Sequence, residues 1–109
     1  MPANGNNITN AYEFIIVFGD DALKSNTTYT KNIIHTAVNS KMPQIHKAVM
    51  NSEVSDWFVK TFTKEDDVIL DPFAGLGTTA LSCKAFNRRY IGFELIKEYS
   101  DYANNLLNI

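Results

Sequence analysis

Hydrophobic positions along this chain fall into short groups with two different spacings. Phe14-Ile15-Ile16-Val17-Phe18 is a continuous apolar run stopped by Gly19-Asp20-Asp21, which predicts a strand buried on both faces. From Asn51 the spacing becomes helical. Asn51 or Ser52 can cap a helix, and Val54, Trp57, Phe58 and Phe62 recur at i, i+3, i+4 and i+8, predicting one buried face. Val68-Ile69-Leu70 is a three-residue strand core that ends at Asp71-Pro72. Thr78 to Phe86 predicts a helix with Thr79, Cys83 and Phe86 along one side. Tyr90-Ile91-Gly92-Phe93-Glu94 predicts a second strand, and Tyr99, Tyr102, Ala103 and Leu106 mark a closing amphipathic helix. Helix, strand, glycine loop, helix, strand, helix describes a βαβ unit, and hence an α/β fold with a parallel sheet.

Composition narrows the class. A chain of 109 residues with 45% hydrophobic content is one small domain, too apolar for intrinsic disorder. Residues 1–10, rich in Asn and Gly and without periodicity, are expected to be a flexible lead-in. The single cysteine, Cys83, excludes an internal disulfide framework and a four-cysteine zinc site. No apolar run is long enough for a transmembrane helix or a signal-peptide core, so a reducing, cytoplasmic setting is expected. The Asn-x-Thr triplets at Asn7 and Asn26 then carry no meaning as glycosylation sites. Charge is uneven: residues 22–50 hold Lys24, Lys31, Lys41, Lys47 and both histidines with no Asp or Glu. That stretch is either an anion-facing surface or a solvated face.

The informative stretch is Asp71-Pro72-Phe73-Ala74-Gly75-Leu76-Gly77-Thr78-Thr79, placed between a predicted strand and a predicted helix. Glycines let the backbone turn sharply and approach a ligand, and the helix start presents unpaired N–H groups to polar ligand atoms. Glu94 follows at the end of the next strand, where an acid can accept both hydroxyls of a ribose. A phosphate-binding Walker loop needs Gly-Lys-Ser/Thr, but Thr78 follows Gly77. A dinucleotide fingerprint needs a third glycine where Thr79 and Ala80 stand. The favoured ligand is of the adenosine type without a pyrophosphate, with the dinucleotide and a purely structural turn as the open alternatives.

These residues, with Arg88-Arg89-Tyr90-Ile91-Gly92-Phe93-Glu94-Leu95 and Glu98-Tyr99, resemble the S-adenosylmethionine-binding end of the DNA amino-methyltransferases, the N-4 cytosine/N-6 adenine family. The resemblance spans about residues 12 to 107. It implies a partial Rossmann-like methyltransferase fold over 11–109, with a short target-recognition-like segment at 19–45 and a cofactor-binding βαβ unit at 46–109. His46-Lys47-Ala48-Val49-Met50 resembles the segment that closes over the methionine moiety, and Phe14–Phe18 the strand before the target-recognition insert. The implied cofactor is S-adenosyl-L-methionine, with Asp71, Phe73, Ala74, Gly75, Gly77, Thr78, Thr79, Glu94, Leu95, His46, Ala48 and Met50 as its binding residues. The implied reaction is methyl transfer to an exocyclic amine of a base flipped out of DNA.

Departures from the family pattern are equally specific. Leu76 stands where the family has Ser, Asn51 where it has Pro, and Asp66 where it has Gly before the strand. The catalytic tetrapeptide Asp/Ser/Asn-Pro-Pro-Tyr/Phe/Trp does not occur, since Pro2, Pro43 and Pro72 are nowhere adjacent. No catalytic residue is therefore assigned. The expectation is the cofactor half of such an enzyme, inactive alone, as a truncated product or one subunit of a split enzyme. A non-catalytic S-adenosylmethionine- or DNA-binding subunit is the alternative. Expected partners are DNA and either a half carrying the tetrapeptide or a second copy, because the faces of Ile69 and Ile91 would lack covering helices.

Remaining candidates are weaker. His35 and His46 lack partners at metal-ligand spacing, and Cys83 on an apolar helix face is expected in the core. Asp71 is expected to orient the loop or a ligand amino group, with a general-base role as the alternative. Tyr99 and Tyr102 are expected on a packed helix face. Arg88-Arg89 is expected to be a solvated turn, with contact to DNA phosphates as the alternative.

Overall fold

A computed structural model describes residues 13–19, 31, 33–36 and 50–108. Its regular elements are α1 (Ser52–Phe62), β1 (Val68–Asp71), α2 (Thr78–Ala85), β2 (Arg89–Gly92) and α3 (Lys97–Leu107). They follow the predicted order from residue 51 onward. Asn51 caps α1, its side chain accepting from the Glu53 amide at 2.8 Å. The two strands pair in parallel, Val68 with Arg89, Ile69 with Tyr90, Leu70 with Ile91 and Asp71 with Gly92.

Strand alternation places Ile69, Asp71, Tyr90 and Gly92 on one face and Val68, Leu70 and Ile91 on the other. The helices cover the first face only. α2 packs against both β2 and α1, and the core gathers around Val59, Leu76, Ala80, Cys83 and Ala103. On the opposite face Val68, Leu70 and Ile91 are 49%, 61% and 49% exposed. Burial pushes the Cys83 thiol upward in pKa, as expected of a core cysteine.

Several expectations are corrected. Phe14 to Phe18 form no strand and their side chains are exposed; among the described residues β1 and β2 pair only with each other, so the run has no ladder to join. In α1 the fully buried positions are Ser55, Val59 and Thr61. Trp57, Phe58 and Phe62 are half-buried, forming an edge-to-face and stacked cluster with centroids 4.8–5.7 Å apart. Small side chains let α1 approach α2, where Asp56 accepts from the Ser82 hydroxyl at 2.5 Å. Arg88 is not solvated: its guanidinium donates to Thr63 Oγ1, Thr63 O and Phe86 O at 2.5–2.9 Å, clasping the ends of α1 and α2. The lead-in at 1–10 and most of 19–45 lie outside the described residues.

Candidate functional site

The loop from Pro72 to Gly77 is tied down almost atom by atom. Asp71 Oδ1 accepts from the Phe73 amide at 3.0 Å. The Ala74 amide donates to Phe93 O at 2.9 Å and the Gly77 amide to Ala74 O at 3.0 Å. Glu94 spans the two chain segments, Oε1 accepting from the Gly75 amide at 2.8 Å and Oε2 from the Ile96 amide at 3.0 Å. The carboxylate that the sequence singled out thus stands at the loop, partly buried, 19 residues on from Gly75. It lies two residues beyond β2, which ends at Gly92.

Both loop glycines need their freedom, for different reasons. Gly75 and Gly77 have φ of 55° and 87°, in the left-handed region where a side chain is strained. At Gly77 a Cβ would also stand 3.0 Å from Ala103 Cβ, so this glycine admits α3 as well. Leu76, where a polar side chain was the family's choice, is 4% exposed and belongs to the core.

A cavity of about 210 Å³ opens beside the loop, with Ala74, Gly75, Gly77 and Glu94 in its wall. Tyr90 and Gly92 from β2, and Ser100, Asn104 and Leu107 from α3, complete much of the lining. None of these five was among the expected cofactor-binding residues, although Tyr90 and Gly92 belong to the stretch that carries the resemblance. Tyr90 was legible through alternation, since it shares a face with Ile69 and precedes a glycine by two. Of the other predicted residues, Asp71 is half-buried, Phe73 and Leu95 are 88% and 98% exposed, and Thr78 and Thr79 open α2. Met50 is exposed beside the α1 cap and does not line the cavity. His46 and Ala48 lie outside the described residues.

The donor set suits an uncharged nucleoside better than a phosphate. The loop amides of Phe73, Ala74, Gly75 and Gly77 are consumed internally, and the first turn of α2 carries no basic residue. An acidic acceptor stands at the mouth, flanked by the exposed apolar side chains of Phe93 and Leu95.

A family model described as DNA methylase matches residues 20–105. The chain belongs to that family. Among curated relatives, the type II methyltransferase M.BglII of Bacillus subtilis is 36% identical over 78 residues, covering 72% of this chain and 21% of its own length. The type II methyltransferase M.HindIII of Haemophilus influenzae is likewise 36% identical over 78 residues, 72% of this chain and 25% of its own. The crystal structure of an M1.HpyAVI–SAM complex superposes with a TM-score of 0.69 at 29% identity, over 80% of this chain and 44% of that one. The chain spans a quarter or less of the length of those two curated relatives.

Proposed function

We propose that residues 46–109 bind S-adenosylmethionine as the cofactor-binding portion of a DNA amino-methyltransferase. The observation that carries this is the Glu94 carboxylate held at the glycine loop, 2.8 Å from the Gly75 amide, at the mouth of a cavity that the loop lines. Glu94 Oε1 and Oε2 each accept a single backbone N–H in the ligand-free chain, which leaves lone pairs for the two ribose hydroxyls. Phe93 and Leu95 flank the base, and Asp71, with the loop, faces the amino acid end. The resemblance assigns His46, Ala48 and Met50 to that end as well. When bound, the cofactor supplies an electrophilic methyl group.

The acceptor is the exocyclic amine of adenine or cytosine in DNA, flipped out of the duplex to reach the methyl. Holding that base takes a Pro-Pro tetrapeptide, which has to come from polypeptide outside this sequence. The bare face of Val68, Leu70 and Ile91 is the surface such a polypeptide would cover, since parallel sheets are normally buried on both sides. With one buried thiol, a cytoplasmic setting suits the chain.

Isothermal titration with S-adenosylmethionine tests the cofactor. Glu94→Ala is expected to weaken binding by ~10-fold or more, through loss of charge-assisted hydrogen bonds. Gly75→Asp is expected to abolish it, because a second carboxylate would face Glu94. Unchanged binding by Glu94→Ala would sink the ribose assignment. Incubation of the chain alone with labelled cofactor and unmodified DNA is expected to incorporate no label. Incorporation that Gly75→Asp removes would place a complete active site within this sequence.

A further inference from the structure

One polar atom beneath the glycine loop is buried without a well-formed partner. Tyr90 Oη meets no acceptor at full hydrogen-bond geometry, whereas buried hydroxyls nearly always do; the Asp71 carboxylate stands near enough for a weak hydrogen bond to add to the phenol's raised pKa. Ser55 Oγ shares that condition but lies in α1 and does not line the cavity. Tyr90 does, together with Gly75, Gly77 and Glu94.

Its ring lies over Gly92: a Cβ built there would stand 2.5 Å from both Cε1 and Oη. A glycine at 92 is what admits the tyrosine in this position. The parallel register sets Asp71 beside Gly92, and alternation puts Asp71, Gly92 and Tyr90 on one face. Burial pushes the Tyr90 phenol up to about 12, with the nearby charge of Asp71 as the next cause. The phenol therefore keeps its proton at neutral pH and offers a donor to an acceptor already at hand. Asp71 in turn holds the start of the loop through the Phe73 amide at 3.0 Å.

We propose that Tyr90 is a positioning residue for the cofactor loop, its hydroxyl donating to the Asp71 carboxylate in the ligand-bound chain and so fixing the loop at Phe73. The proposal rests on the S-adenosylmethionine reading above and assigns that site a residue not among its expected cofactor-binding residues. It makes a well-formed hydrogen bond of the weak contact between Tyr90 and Asp71.

Tyr90→Phe keeps the ring over Gly92 and deletes one oxygen. Titration of the full chain with S-adenosylmethionine is expected to show a loss of about 10-fold or more, the range of a hydrogen bond to a charged group. In an Asp71→Ala background the same change is expected to alter affinity less than about 2-fold, because the group it acts through is gone. Wild-type affinity in Tyr90→Phe overturns the proposal and leaves the cofactor reading intact. An undiminished loss in the Asp71→Ala background overturns it as well, since the hydroxyl then meets the ligand directly. A wild-type chain that is folded by circular dichroism yet binds nothing overturns the cofactor reading and this one with it. Ultraviolet titration of the tyrosines supplies a readout that needs no Asp71 variant, with Tyr90→Phe identifying the signal. Bound S-adenosylmethionine is expected to move the Tyr90 ionisation further upward, and an unmoved or lowered ionisation overturns the proposal.

Discussion

The two faces of the β1–β2 sheet are made from alternate residues of the same eight positions, yet they differ in almost every respect. Ile69, Asp71 and Tyr90 are half-buried on the helix side with Gly92, and Tyr90 and Gly92 line the cavity beside the loop. Val68, Leu70 and Ile91, more apolar than the set they alternate with, are about half or more exposed, and Arg89 beside them is exposed too. Hydrophobicity alone does not separate them; what separates them is whether an element of this chain returns to cover the face. α2 and α3 both do so on the same side, and among the described residues nothing does so on the other. The covered face carries the chemistry because the loop that crosses its end is held by contacts the bare face has no means to make.

The largest effect on this contrast is expected from Gly77→Val. Left-handed strain of ~1–2 kcal/mol adds to overpacking of ~1–3 kcal/mol against Ala103, whose Cβ lies 3.0 Å from the place a Cβ at position 77 would occupy. A loss of about 3 kcal/mol in denaturant unfolding follows from these two terms. A loss below about 1 kcal/mol, less than the strain alone, would show that α3 is not packed on the loop. Next in size is a paired comparison of neighbours in β1. Ile69→Ala is expected to destabilise by about 1–2 kcal/mol and Leu70→Ala by less than about 0.5, since only the first leaves a hole under a helix. Equal losses would mean that the second face is covered in solution, and light scattering would then show an assembly larger than the 12.3 kDa chain.

Alkali supplies a smaller perturbation confined to the covered face. The folded chain holds the Tyr90 proton up to about 12, against an ordinary value of 10.0. Stability is therefore at its full value below pH 10 and falls as the pH rises towards 12. Cys83 works in the same direction from its ordinary 9.0. Tyr90→Phe is expected to flatten the upper part of this decline in thermal unfolding, and an unchanged profile would remove Tyr90 as its source. The smallest effect is expected far from both faces. Asp66 turns the chain into β1 with φ of 67°, and Asp66→Gly is expected to stabilise by a few tenths to about 1 kcal/mol by relieving it.

Much of this is legible in the sequence. Local chemistry determined the order of elements from Asn51 onward, the cap by Asn51, the strand–loop–helix setting of Gly75 and Gly77, and the meeting of that loop with Glu94. Each depends on a side chain acting on backbone within a turn, or on the connectivity of a βαβ unit. Even the departure at Asp66 has a reading, since the family's glycine marks a left-handed turn and Asp adopts it at some strain.

Tertiary structure decided which way each element faces. In α3 the sequence pointed to Tyr99, Tyr102, Ala103 and Leu106, but the cavity is lined by Ser100, Ala103, Asn104 and Leu107. The two sets have the same spacing and differ by one residue, about 100° around the helix axis. Ala103 belongs to both sets and meets Gly77, while Tyr99 and Tyr102 are half-buried as expected and Asn104 is exposed. The same contact gives Gly77 a packing role beside its place in the cavity wall, and Leu76 is in the core. Arg88 became a clasp because two helix ends happen to meet at Thr63 and Phe86, and Phe14 to Phe18 stand outside the sheet, which among the described residues offers only β1 and β2. Periodicity records that a surface is apolar; only the arrival of a second surface, with its own shape and hydrogen-bonding groups, determines which apolar positions are buried.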